Sequence, residues 1–214
     1  MTTDTVRVMV LGPAHPAYGP VSVALGVVVS FVIGSVNPAA IIARLLGRDL
    51  RGSGSGNPGA TNAGRVLGAR WGVVVGVLDV LKGYLPTLLL TPSTSGPLVG
   101  VCAVAAVLGH VWSPFLRGRG GKGVATTIGA LLAMAPWLAL VAVVVFAAGI
   151  AVWRTTGKAS IVASAALTVA GVVVAATTWW PSTRWAGAWS ALLAVIVLLR
   201  HHRNLRAWGR LARR

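Results

Sequence analysis

The sequence predicts an all-α, polytopic membrane protein with seven transmembrane helices, its N-terminus outside and its C-terminus in the cytoplasm. Three observations carry this. First, 56% of the 214 residues are hydrophobic and only 10% are charged, and the mean hydropathy is +0.80. A soluble domain of this length needs a polar surface that such a composition does not supply. Second, the apolar residues gather in runs near the length of roughly 20 that crosses a bilayer as a helix. Third, the basic residues behind the net charge of +16 lie almost entirely between those runs. In a soluble protein that charge would suggest nucleic acid. Between apolar runs it reads as a topology and phosphate signal, so no nucleic-acid partner is expected.

The chain reads as a single domain over 1–214, with an extracytoplasmic segment at 1–19 and a basic cytoplasmic tail at 200–214. The opening residues lack a basic start followed by an apolar core, so no cleaved signal peptide is expected. The first run extends from Pro20 to Leu46. Gly34, Ser35, Asn37 and Pro38 interrupt its second half, which predicts a kinked helix with Ser35 and Asn37 facing protein. The second run, Trp71 to Leu90, contains Asp79 and Lys82. Their spacing places both on one helical face. Charges inside a span mark either a structural ion pair or a role near substrate. After a polar turn at Thr91–Pro97, a third run ends near Trp112, just past Gly109-His110. It holds the single cysteine, Cys102, expected as a small core residue.

Gly123 to Trp153 would make one helix of about 45 Å, too long for a hydrocarbon core of about 30 Å. Pro136 therefore splits it in two. The last runs are Ala159–Trp179 and Arg184–Leu199. Charge tests the count. With seven spans and the N-terminus outside, every Lys and Arg except Arg7, Lys82 and Arg184 lies on the inside, as cytoplasmic loops require. Six spans would place Arg154, Lys158 and the basic tail outside.

The same topology collects the chemistry on one side. Gly52 to Arg65 reads GSGSGNPGATNAGR, and Arg117 to Thr126 reads RGRGGKGVAT. Glycine lets backbone amides turn toward one point, and clustered amides, hydroxyls and cations suit phosphate. Arg offers phosphate a bidentate fork and Lys a point charge. Gly/Ser composition alone would also fit a linker, and a basic face also attracts anionic lipid. The turn Arg154–Ser160 and the tail RHHRNLRAWGRLARR share that side. The acids are Asp4, Asp49 and Asp79, with no Glu. Without a carboxylate cluster, a Mg²⁺-dependent phosphotransferase is not expected. One cysteine and scattered histidines do not suit zinc. No metal and no cofactor are expected, and neither glycine-rich stretch is a Walker A sequence.

These residues carry a family resemblance. GSGSGNPGATNAGR, preceded by Asp49 and Arg51, resembles the first signature of the bacterial membrane acyl-phosphate:glycerol-3-phosphate acyltransferases. Gly109-His110 with RGRGGKGVAT resembles the second, and His201 with Asn204 resembles the closing H-x-x-N element. Asp79, Lys82 and Gly83 resemble a D-x-x-K-G element. Two departures stand out: Arg119 occupies a position where lysine is common, and Ala163 replaces a serine expected three residues after Ser160.

The resemblance implies a seven-helix protein of the bacterial cytoplasmic membrane with its site facing the cytoplasm. It implies transfer of a fatty acyl group from acyl phosphate to the sn-1 hydroxyl of glycerol 3-phosphate. The products are lysophosphatidic acid and phosphate, the first step of phospholipid synthesis. Its partners would be those two substrates, membrane lipid and the enzyme that supplies acyl phosphate. Ser35, Arg51, Ser53, Ser55, Asn57, Thr61, Asn62 and Arg65 are the candidate phosphate ligands of the first stretch. Lys122 with the amides of Gly120, Gly121 and Gly123 serves the second, and Asp79, Lys82 and Ser160 are further candidates. His201 and Asn204 would orient the glycerol. The proton acceptor is left open among His110, His201 and the substrate's own phosphate; His15 and His202 are expected to be bystanders. An anion transporter or channel would use similar loops, but it should also carry polar residues through the outer half. The outer loops here are short and nearly uncharged. A lipid-binding scaffold would leave both glycine-rich stretches unexplained.

Overall fold

A computed structural model of the chain describes residues 20–90 and 99–211. The N-terminal segment with Asp4, Arg7 and His15, and the polar turn at Thr91–Pro97, lie outside the described residues. Those described form helices joined by turns, with no strand among them. In order they are α1 Pro20–Ser35, α2 Pro38–Leu45, α3 Ala60–Leu67, α4 Ala69–Leu89, α5 Val99–Val111, α6 Val124–Met134, α7 Pro136–Trp153, α8 Thr156–Thr177, α9 Pro181–Arg200 and α10 His202–Leu211. A single 3₁₀ turn occupies Pro114–Leu116.

Proline opens α1, α2, α7 and α9, where its missing N–H is no loss and its fixed φ suits the helix. The expected kink in the first run is a full break. Asn37 is extended (φ −113°, ψ 99°), and its Oδ1 caps α2 by accepting from Ala40 N at 2.8 Å. Its Nδ2 donates to the Pro58 carbonyl at 2.9 Å. Ser35 and Asn37 are both buried, as the sequence suggests. Pro136 likewise separates α6 from α7.

Five segments are long and apolar enough to cross a membrane: Pro20–Leu45, Ala69–Leu89, Pro136–Trp153, Thr156–Thr177 and Pro181–Arg200. Gly100–Leu116 and Val124–Met134 are apolar but shorter. Their outward faces carry large apolar side chains, such as Val28, Leu140 and Val169, each more than half exposed. Water would not tolerate such a surface; lipid would. Small residues bring the helices together, as in membrane bundles generally. A Cβ on Gly83 of α4 would overlap the Thr126 carbonyl, and one on Gly129 of α6 would overlap the Val80 carbonyl. Gly171 of α8 and Gly187 of α9 approach each other in the same way. The main core joins Val107 and Val111 of α5, Leu131 of α6, Leu138 of α7, Leu167 of α8 and Leu193 of α9. A second cluster, including Ala39, Leu50, Ala63 and Val75, lies under the first glycine-rich stretch.

Two elements differ from the sequence expectation. The second half of the first glycine-rich stretch is helical (α3), because after Gly59 only Gly64 remains and ATNAGRVL can pack its Asn62–Ala63 side on the second cluster. The basic tail begins as a helix, α10.

Candidate active site

The first stretch folds around Asn62, which is 1% exposed. Its Oδ1 accepts from Ser55 N at 2.8 Å, and its Nδ2 donates to the carbonyls of Leu50 at 3.0 Å and Ser53 at 3.1 Å. Gly54 has φ +62°, and a Cβ there would strike Asn62 Oδ1. The loop can wrap the amide only because that position lacks a side chain. Asp49 closes the start of the loop by accepting from the amides of Arg51 and Gly52. From this frame Ser55, Asn57, Thr61 and Arg65 reach a common cavity, with Thr61 and Arg65 one helical turn apart on α3.

That cavity measures about 1060 Å³. Its polar part is lined by those four residues, Asn62, Lys122, Gly123, Ser160, His201 and Asn204. Its apolar part runs between helices, past Gly76 and Val77 of α4, Ile128 of α6, Phe146 of α7 and Leu167 of α8. Residues 150 apart in sequence thus share one space, which charge topology alone suggests but does not locate.

Lys122 is held at the polar end. Its Nζ donates to Asn204 Oδ1 at 2.7 Å. Burial, then the positive charges of Arg65 and Arg200, push its pKa below the usual lysine value. Cations crowded together at a hydrogen-bonding surface are arranged for an anion that neutralises them. Arg200 donates to the Gly120 carbonyl at 3.4 Å and lies over the Trp112 ring.

His201 is 1% exposed. Its Nδ1 lies 2.8 Å from the Val197 carbonyl; a carbonyl only accepts, so Nδ1 carries the proton and Nε2 is the acceptor. Burial, assisted by Lys122 and Arg200, pushes its pKa down to about 4 against the opposing Val197 bond. An unfolded imidazole titrates near ~6.5. Between these values only the unfolded chain takes up the extra proton. Stability from neutral His201 is therefore complete above about pH 6.5 and falls as pH drops toward 4. His201→Gln should flatten the dependence of thermal unfolding on pH between 6.5 and 4.5; an unchanged slope would assign it to other groups.

The structure relocates several expected ligands. Ser35 is spent internally, with Oγ donating to the Phe31 carbonyl at 2.7 Å and its own carbonyl accepting from Ser113 Oγ at 2.6 Å. Arg51 does not line the cavity; its Nη2 donates to the carbonyls of Leu116 (3.0 Å) and Arg119 (3.3 Å), tying the two stretches together. Ser53 contributes its carbonyl to Asn62 and does not line the cavity. The amides of Gly120 and Gly121 donate to Val111 and His110 carbonyls, so they are not free for phosphate. Gly123, at the start of α6, does line it. Asp79 and Lys82 pair at 3.0 Å, and His110 Nδ1 lies 3.5 Å from the same Asp79 oxygen. Asp79 and His110 line the cavity; Lys82 does not.

Sequence reasoning missed Lys158, Trp208 and Thr127, all on the cavity wall. Lys158 lies over the Trp208 ring, which packs edge-on against Trp153. The basic turn at Arg154–Ser160 was the available signal for Lys158. For Thr127, a buried hydroxyl in an apolar helix with no hydrogen-bond partner among the described residues, there was none.

Residues 24–210 match the family described as Glycerol-3-phosphate acyltransferase. A glycerol-3-phosphate acyltransferase of Myxococcus xanthus is 40% identical over 192 residues, covering 88% of this chain and 95% of that one. The crystal structure of PlsY (YgiH), an integral membrane glycerol 3-phosphate acyltransferase, is similar in its glycerol 3-phosphate form with a TM-score of 0.77 at 33% identity. That match covers 86% of this chain and 90% of the other. Its lysophosphatidic acid form superposes with a TM-score of 0.75 at 32% identity, with the same coverage.

Proposed function

Since the chain belongs to the glycerol-3-phosphate acyltransferase family, acyl transfer to glycerol 3-phosphate is its activity, and we propose that the donor is a fatty acyl phosphate. The single observation that supports this donor is the form of the cavity. Its lining gathers Arg65, Lys122 and Lys158 against a single carboxylate, Asp79, which Lys82 already pairs, and the cavity continues into an apolar space between helices. A phosphate head with a hydrocarbon tail matches both parts. Glycerol 3-phosphate brings the second phosphate.

Ser55, Asn57, Thr61, Arg65, Lys122, Gly123, Ser160 and Asn204 are the residues we place on the two substrates. The sn-1 hydroxyl oxygen attacks the acyl carbonyl carbon, the bond to the phosphate oxygen breaks, and phosphate leaves with the electron pair. The hydroxyl proton needs an acceptor near the working pH. His201, with a pKa near 4, is a weak base, and its Nε2 serves better as a hydrogen-bond acceptor that orients a substrate hydroxyl. His110 Nε2 abuts Gly121. We therefore assign the proton to the departing phosphate, whose own oxygens carry the charge. The products are lysophosphatidic acid and inorganic phosphate.

The chain is an integral membrane protein, and we place seven spans in it by adding α5 and α6 to the long apolar segments. This puts the basic stretches and the site on the cytoplasmic side of a bacterial inner membrane. An upstream enzyme making acyl phosphate would be its supplier.

The test supplies purified protein with palmitoyl phosphate and glycerol 3-phosphate and follows phosphate release. Release should require glycerol 3-phosphate and persist in excess chelator. Release without glycerol 3-phosphate would make the protein a phosphatase, and loss with chelator would bring back a metal.

A further inference from the structure

We propose that the break between α1 and α2 is a common anchor for both glycine-rich stretches, and that Lys82, Asp79 and His110 are positioning residues that hold Lys122 from that anchor. The inference rests on the acyl-transfer reading of the site.

The break offers three consecutive groups, and each is tied to a different part of the site. The Ser35 carbonyl accepts from Ser113 Oγ at 2.6 Å, just past the end of α5. The Val36 carbonyl accepts from Lys82 Nζ at 2.7 Å. Asn37 Nδ2 donates to the Pro58 carbonyl of the first stretch at 2.9 Å. A helix that ran through unbroken would keep these carbonyls for its own ladder, so the break is what frees them.

From Val36 the contacts continue to the second stretch. Lys82 pairs with Asp79 at 3.0 Å and Asp79 with His110 Nδ1 at 3.5 Å. On the far side of the same ring, His110 Nε2 lies where a Cβ on Gly121 would fall. The Gly121 amide also donates to the His110 carbonyl at 3.1 Å. Lys122 is the next residue. All three titratable side chains are less than 10% exposed, and such groups inside helices of a membrane protein are costly unless they do something. They do not reach Lys122 directly. They fix the backbone beside it, and Asn204 fixes its ammonium.

A mere ion pair and a positioning strut differ in what their loss does. The double variant Asp79→Asn/Lys82→Met removes both charges together, so neither is left buried alone. His110→Gln carries an amide that reaches the Nε2 position; His110→Asn reaches only Nδ1. Lys122→Arg identifies which substrate's KM depends on Lys122. The double variant and His110→Asn should raise that same KM about ten-fold, with kcat within about three-fold of the parent. His110→Gln keeps a group against Gly121 but leaves none at Nδ1 for Asp79, so it should raise that KM as well, with kcat again near the parent's. A double variant that melts at lower temperature but keeps the parent's KM and kcat would reduce the cluster to a structural pair and overturn the inference. Loss of kcat at constant KM in both His110 variants, with an altered pH profile, would make His110 the proton acceptor and overturn it equally. Turnover of the parent with the two substrates tests the functional reading separately.

Discussion

Lys122→Ala should lower kcat/KM by about 10²–10³-fold, the loss expected for a charge-assisted bond to a phosphate in a sheltered site. The chain should still insert and fold. Two features set the direction of both effects. Lys122 is the cation that both Asn204 and the polar end of the cavity face, and no carboxylate among the described residues pairs with it. Its pKa is lowered by burial and by Arg65 and Arg200, so in the empty protein its charge is opposed rather than stabilised. Removing it should leave thermal stability unchanged or slightly higher while activity collapses. An anion reverses that balance, and phosphate should stabilise the parent more than the variant. Steady-state phosphate release and melting with and without glycerol 3-phosphate check this. Turnover near the parent's would sink the phosphate assignment of Lys122. A variant that cannot be purified folded would contradict the sign of the electrostatic argument. Arg65→Ala should act in the same direction. Arg65→Lys should rescue it poorly, because an ammonium does not reproduce a fork.

Much of this was legible before any coordinates. Helix existence followed from apolar run length and the split at Pro136 from a residue that stops helices, whereas at Asn37 the sequence suggested a kink and the side-chain cap to Ala40 N makes it a full break. The Asp79–Lys82 pair followed from spacing alone, since residues three apart share a helical face. The third member, His110, did not, because the contact joins two helices and no periodicity reports on it. The glycine-rich stretches were recognisable as phosphate-suited, but composition does not say which polar groups the fold keeps for itself. Asn62, Arg51 and Ser35 have the same chemistry as ligands and are spent on carbonyls and amides. The Gly120 and Gly121 amides are spent likewise. Lys158 and Thr127 reach the cavity through helix packing that only the tertiary structure supplies.

Asn62 makes that distinction testable. If it were a phosphate ligand, Asn62→Ala would weaken substrate binding and leave the empty protein as stable as before. As the brace described here, the substitution orphans three backbone groups: the Leu50 and Ser53 carbonyls and the Ser55 amide. At about 1 kcal/mol for each net hydrogen bond, and more where the group stays dry, the expected loss of stability is about 3 kcal/mol. The melting temperature should therefore drop in the absence of any substrate. Activity should fall too, because Ser55 is positioned through its amide and faces the cavity. Asn62→Asp separates the two halves of the brace. It keeps the acceptor for Ser55 N but loses both donated bonds and places a carboxylate against two carbonyls, so it should be at least as unstable as Asn62→Ala. Thr61→Ala, one residue away and exposed toward the cavity, should do the reverse, raising a KM with little change in melting. Equal melting temperatures for the parent and Asn62→Ala, with only binding affected, would return Asn62 to the list of ligands.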